Sequence, residues 1–100
     1  MAELHIALEE GFDDDVVVVH VDDDEVFRGE DVTTRYQIGL AELVDLTLGS
    51  GEHDIEVHVA TRGLDGTFRV VVADELWFGL SISEDGRFRE RISEETFRYA

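Results

Sequence analysis

Four histidines, four serines and a large excess of carboxylates are the side chains here that can carry chemistry, and their spacing decides which chemistry is open to them. With no cysteine, thiol nucleophiles, disulfides and thiolate metal sites are excluded. The serines are Ser50, Ser81, Ser83 and Ser93, and none lies in a Gly-x-Ser-x-Gly elbow. Gly79-Leu80-Ser81-Ile82-Ser83 lacks the second glycine of that strand-to-helix turn. No glycine-rich loop is present to cradle a phosphate. His5, His20, His53 and His58 show no His-Glu-x-x-His spacing. On one extended strand His53 and His58 differ by an odd number and point to opposite faces. A three-ligand zinc site is therefore not expected, and the histidines read as sheet-surface groups. Carboxylate pairs are so frequent that no particular acid–base dyad stands out. The reading is that the chain is not an enzyme.

Clustered carboxylates raise calcium, which takes six to eight oxygen ligands. Asp13-Asp14-Asp15 and Asp22-Asp23-Asp24-Glu25 are the two acidic runs. Val16 to Val21 between them spans about 20 Å as a strand, so the runs lie at opposite ends and cannot share an ion. An up-and-down path instead gathers Glu9, Glu10, Asp13, Asp14, Asp15, Glu30 and Asp31 at one end. From that set Asp13, Asp14, Asp15, Glu30 and Asp31 are the candidate Ca2+ ligands, and a solvated acidic loop is the alternative. Neither run carries the glycine that an EF-hand loop requires. No cofactor is otherwise implied.

Trp77 and the arginines mark a second candidate surface. If Phe78, Leu80 and Ile82 face the core, Trp77 faces out, free to stack on a sugar or anchor a partner; in the opposite register it is a core residue. Arg87, Arg89 and Arg91 alternate, so they form a basic ladder on one face of a strand. Pairing with neighbouring acids is one role for it, and docking an acidic edge of a second copy is the other.

These side chains sit on a chain with 25 Asp and Glu against 8 Arg and no Lys, a net charge of -17 over 100 residues. Residues 84–100 carry four arginines against five acids, so almost all of the excess belongs to residues 1–83. Such a field disfavours nucleic acid and anionic membrane as partners. It fits either a saline milieu or a genome that prefers Asp, Glu, Arg and Val. The start, Met1-Ala2-Glu3-Leu4-His5, lacks the basic region and long apolar run of a signal peptide, and no apolar stretch approaches bilayer length. A cytoplasmic protein is expected.

The elements that must position these residues are strands. Apolar and polar residues alternate through Leu4-Ile6-Leu8, Val44-Leu46-Leu48, Ile55-Val57-Val59, Phe68-Val70-Val72 and Phe78-Leu80-Ile82. Val16 to Val21 is apolar on both faces and reads as a central strand. Val26-Phe27-Arg28 returns as a hairpin before a break at Gly29-Glu30-Asp31. Val32, Thr34, Tyr36, Ile38 and Leu40 share one face of a further expected strand. Ala41 to Val44 reads equally as a helical turn or a bulge. Glu84-Asp85-Gly86 is a strong hairpin signal, and residues 93–99 read as a short strand or turn.

Seven to nine short strands and no amphipathic helix predict one domain over 1–100: an all-β, antiparallel, Ig-like sandwich, with a small β-barrel as the alternative. The stretch Val44-Asp-Leu-Thr-Leu-Gly-Ser-Gly-Glu-His-Asp-Ile-Glu-Val-His-Val, with Gly51-x-His53 at its turn, resembles the strand–GxH–strand hairpin of PEGA-type and related Ig-like or transthyretin-like accessory domains. That resemblance implies a small non-enzymatic β module and assigns no functional residue. The expected role is thus a protein-interaction or self-assembly module, with a homo-oligomer or protein partner; a calcium- or carbohydrate-binding module is the alternative.

Overall fold

The computed structural model describes residues 1–95. The alternating stretches become eight strands: β1 (Ala2–Leu8), β2 (Asp15–Val21), β3 (Asp24–Val32), β4 (Glu42–Leu48), β5 (Gly51–Val59), β6 (Leu64–Val72), β7 (Glu75–Ile82) and β8 (Phe88–Ser93). One turn of 3-10 helix, Ala60–Arg62, joins β5 to β6. The strands form two four-stranded sheets, ordered β4-β1-β7-β8 (sheet A) and β3-β2-β5-β6 (sheet B). Both sheets have open edges, so the molecule is a sandwich and not the alternative barrel. All pairings are antiparallel except β1 with β7. That parallel pair departs from a purely antiparallel sandwich. It arises because β1 and β7 meet only after the chain has built sheet B between them.

The inner faces carry the expected apolar sets. Leu4, Ile6, Leu8, Phe78 and Leu80 from sheet A meet Val17, Val19, Ile55, Val57, Val59 and Val72 from sheet B, all without solvent exposure. Each such side chain contributes about 1.5–3 kcal/mol on burial. At the β6–β8 side the core closes on Phe88, which packs edge-on to Phe68. Gly66 makes room for it, since a Cβ there would lie 2.8 Å from the Phe88 ring.

The turns explain where the strand readings fail. Asp22 and Asp23 both take positive φ (50° and 70°), the two-residue turn that suits the twist of the β2–β3 hairpin. The expected break at Gly29-Glu30-Asp31 is instead continuous strand, because a register shift between Asp15 and Val17 absorbs the extra residues. The strand expected over Val32 to Leu40 does not form beyond Val32. Asp31 turns the chain at φ 57°, and the Thr34 hydroxyl then donates to the Glu9 carbonyl (2.6 Å) while accepting from the Phe12 N–H. The segment closes on an Arg35–Leu40 bridge, with Tyr36 92% exposed at its tip. Ala41 to Val44 is neither helix nor bulge; Glu42 opens β4. Gly49 and Ser50 do not close a hairpin. They carry the chain from sheet A to sheet B, since β4 pairs with β1 and β5 with β2 and β6.

Candidate functional site

Trp77 faces out of sheet A, because Leu76, Phe78, Leu80 and Ile82 fill the core side of β7. Parallel pairing sets it beside His5 on β1, and the two rings stack with centroids 4.5 Å apart. His5 is held on both nitrogens: Nδ1 lies 2.6 Å from Asp45 on β4, and Nε2 lies 2.7 Å from Glu75 on β7. A carboxylate at each nitrogen favours the doubly protonated ring. Burial of the ring opposes that charge, but the bonds to Asp45 and Glu75 outweigh it and hold the pKa above the ordinary imidazole value. A sugar-stacking role for Trp77 would have to use what His5 leaves uncovered.

Of the expected arginine ladder, Arg89 and Arg91 lie on β8 opposite Ser81 and Gly79, whereas Arg87 precedes the strand in the hairpin turn, and the three differ in their partners. Arg91 makes a bidentate pair with the buried Glu9 carboxylate, at 2.9 and 2.5 Å. Arg87 approaches Asp85 within its own hairpin, at 3.6 Å. Among the described residues Arg89 meets no carboxylate within 4.0 Å. It lines two adjoining cavities of about 430 and 790 Å³ that share Glu10, Gly39 and Ser81. Ile38 closes one side and Tyr36 the other. Arg98 lies outside the described residues.

At the acidic end the five candidate calcium ligands separate into different roles. Asp15 is buried and its oxygens are taken: Arg62 donates to both, Thr61 donates at 2.6 Å, and the Asp13 N–H donates at 2.9 Å. Burial raises the cost of its charge, but Arg62, Thr61 and the amide overcome it and keep the carboxyl below its usual range. Asp14 and Asp31, on adjacent chain segments, bring their carboxyls together, and the hydrogen bond and charge of Asp31 push Asp14 up. Asp13 and Glu30 are exposed.

Among the described residues, three ligating side chains come within 4.8 Å of one another at two other places, Glu3–His5–Glu75 and His20–Glu56–His58. The second lies on the outer face of sheet B. His20 on β2 stands opposite Glu56 on β5, and His58 is one outward position further along β5. The His20 and His58 rings meet edge to face, with centroids 5.6 Å apart. His58 Nδ1 is 2.8 Å from Asp65 on β6, while its Nε2 faces Glu56 Oε2 at 3.6 Å. His20 Nδ1 is shielded from solvent and has no hydrogen-bond partner among the described residues.

Sequence reasoning missed this cluster by comparing His53 with His58 along one strand. Those two do face opposite sides, as expected. His53 is a turn clamp, bonded to Asp22 (2.5 Å) and to the Gly49 carbonyl (2.6 Å), and both contacts raise its pKa. The partner of His58 comes from β2, and the register that brings His20 beside it has no local signal. No protein-family model matches the chain, and no curated protein matches it. Among the described residues no helix is long and apolar enough to cross a membrane.

Proposed function

We propose that the chain is a non-enzymatic, salt-adapted β-sandwich module that docks an extended, carboxylate-bearing protein segment along β8. The observation that carries this reading is the state of Arg89. In a chain where acids outnumber arginines threefold, its neighbours Arg87 and Arg91 face carboxylates and Arg89 faces none among the described residues, while it opens onto a groove flanked by the exposed Tyr36. β8 is a sheet edge, with β7 its only partner among the described residues, and Ile92 on it is 52% exposed. An incoming strand would pair with that edge through main-chain bonds and place a carboxylate on Arg89.

Charge favours a different protein over a second copy. Two-fold pairing of β8 with β8 in one continuous sheet sets Arg89 against Arg91 or against itself, and like charges directly opposite destabilise a sheet. Long-range repulsion between the acidic module and an acidic segment slows their encounter at low salt, so association should quicken as salt is added.

Selection from a displayed library of extended peptides in molar NaCl tests the reading. Selected peptides should carry Asp or Glu, and Arg89→Glu should weaken them by about 10-fold or more, the worth of a charge-assisted bond. Peptides that bind equally to Arg89→Glu, or none selected at all, would overturn it. Light scattering supplies the other arm: a dimer dissolved by Arg89→Glu makes the occupant a second copy.

A further inference from the structure

We propose that His20, Glu56 and His58 form a site for one divalent transition-metal ion of the zinc class, with Asp65 as the residue that positions His58. Nothing in the docking reading requires such an ion, and the site lies on the opposite sheet.

The donors suit that metal. Two imidazoles and one carboxylate, with a fourth position left to water, are a familiar ligand set for zinc. Calcium and magnesium prefer oxygen alone, so the two nitrogens select against them. The spacing fits as well. Two donors on a tetrahedral ion about 2.1 Å away sit about 3.4 Å apart, and His58 Nε2 is 3.6 Å from Glu56 Oε2. All three ligand atoms lie within 4.8 Å of one another, a gap that small rotations of the side chains close. His58 and Glu56 are 39% and 34% exposed, so an ion can enter from solvent.

The surroundings are arranged as a metal site needs. Asp65 lies 2.8 Å from His58 Nδ1, which anchors the ring and leaves Nε2 as the nitrogen turned toward Glu56. Carboxylate–histidine pairs of this kind orient metal-ligating imidazoles and raise their basicity. His58 Nε2 and Glu56 Oε2 stand 3.6 Å apart, beyond hydrogen-bond reach and close to the spacing of two donors on one ion. His20 adds an imidazole whose buried Nδ1 has no hydrogen-bond partner among the described residues. The Glu3–His5–Glu75 cluster shows the contrast: both His5 nitrogens already donate to carboxylates, so no lone pair remains. The overall negative charge concentrates cations near both faces, and only the sheet B cluster offers them nitrogen.

The test is zinc binding to the whole chain, followed by calorimetry near pH 7.5, where ordinary imidazole is neutral. Half-molar NaCl and excess Mg2+ suppress diffuse attraction to the acidic surface. One Zn2+ should bind per chain, and Co2+ should give visible absorption bands of a four- or five-coordinate nitrogen–oxygen site. His20→Gln and His58→Gln should each lower Zn2+ affinity more than about 100-fold, and Asp65→Asn about 10- to 100-fold. Glu3→Gln, on the other sheet, should leave it unchanged. Far-UV circular dichroism and metal-free melting confirm that each variant is folded, and Glu56→Gln and Asp65→Asn carry the test if a histidine variant is not. No zinc uptake at millimolar metal, or uptake undiminished in folded Glu56→Gln and His58→Gln, would overturn the proposal.

Discussion

The two outer faces of the sandwich use the same residue types to opposite ends. On sheet A, His5 is bonded on both nitrogens by Asp45 and Glu75 and stacked on Trp77, an arrangement that favours its cationic form. On sheet B, His58 spends one nitrogen on Asp65 and keeps the other turned toward Glu56, beside a His20 whose Nδ1 has no partner among the described residues. The distance of the second carboxylate separates the two: Glu75 is within hydrogen-bond reach of His5 Nε2 at 2.7 Å, whereas Glu56 stands off His58 Nε2 at 3.6 Å. Acidic composition therefore does not by itself make a metal site. It often consumes the nitrogen that a metal would need.

The difference is open to direct attack. The largest effect should come from His5→Leu, which keeps the bulk beside Trp77 but strips two carboxylates of their donors. A loss of about 1–2 kcal/mol is expected, at the low end for charged hydrogen bonds because Asp45 and Glu75 are partly exposed. His58→Gln without metal should stay within about 0.5 kcal/mol, as for an ordinary surface change. Urea unfolding in EDTA measures both, and equal losses would dissolve the contrast between the faces.

Salt should separate the same proteins further. Screening of the carboxylate excess should raise the melting temperature from low to molar NaCl, by about 4–8 °C for each kcal/mol of repulsion removed. His5→Leu, with Asp45 and Glu75 uncompensated, should gain more than the wild type. A flat or falling curve would show that the acids are locally balanced.

A smaller effect lies in pH. The pKa values of His5 and His53 are raised in the folded state, by Asp45 with Glu75 and by Asp22 with the Gly49 carbonyl. Their contribution is complete below the unfolded value of about 6.5 and fades as pH rises through the folded values. Asp15 acts in the opposite limb: its lowered pKa contributes above the unfolded value and is lost as acid protonates it in the fold. NMR titration of the imidazole protons should place His5 and His53 above 6.5; a His5 midpoint at or below it would remove the cage from the account. The smallest change should be Asp31→Asn. It relieves Asp14 of a like charge and keeps a residue tolerant of the positive φ at 31, so the melting temperature should rise slightly at neutral pH and not at acid pH.

Much of the fold was legible because alternation is a local property. Val16 to Val21, apolar on both faces, is the central strand β2, and Asp85-Gly86 does close the β7–β8 hairpin. For Trp77 the sequence left two registers open, outward or core; the structure takes the outward one, with Phe78, Leu80 and Ile82 inward. Alternation misled at Val32 to Leu40, where Thr34 spends its hydroxyl on Glu9 and Phe12 and leaves the sheet. It was silent on the His20–Glu56–His58 cluster for a different reason. Which strands pair, and in which register, is settled by packing of the two sheets, and β2 and β5 are separated by β3 and β4. The ladder of arginines was visible as a pattern, but Glu9 as the partner of Arg91 depends on the parallel β1–β7 pair that no local signal announces.

That parallel pair also gives the molecule a history in time. Sheet B is made of two hairpin-like pairs, β2–β3 and β5–β6, joined by β2 to β5, and every strand in it is present once Val72 has been synthesised. β1 precedes all of sheet B in the chain yet pairs with β7, which follows it, so that pairing must wait until sheet B has been made. Closing such long loops is slow compared with zipping hairpins. The two sheets therefore differ in age as well as in chemistry: the histidine cluster of sheet B belongs to the part that can form early, and the His5 cage is sealed only when β7 brings Glu75 and Trp77.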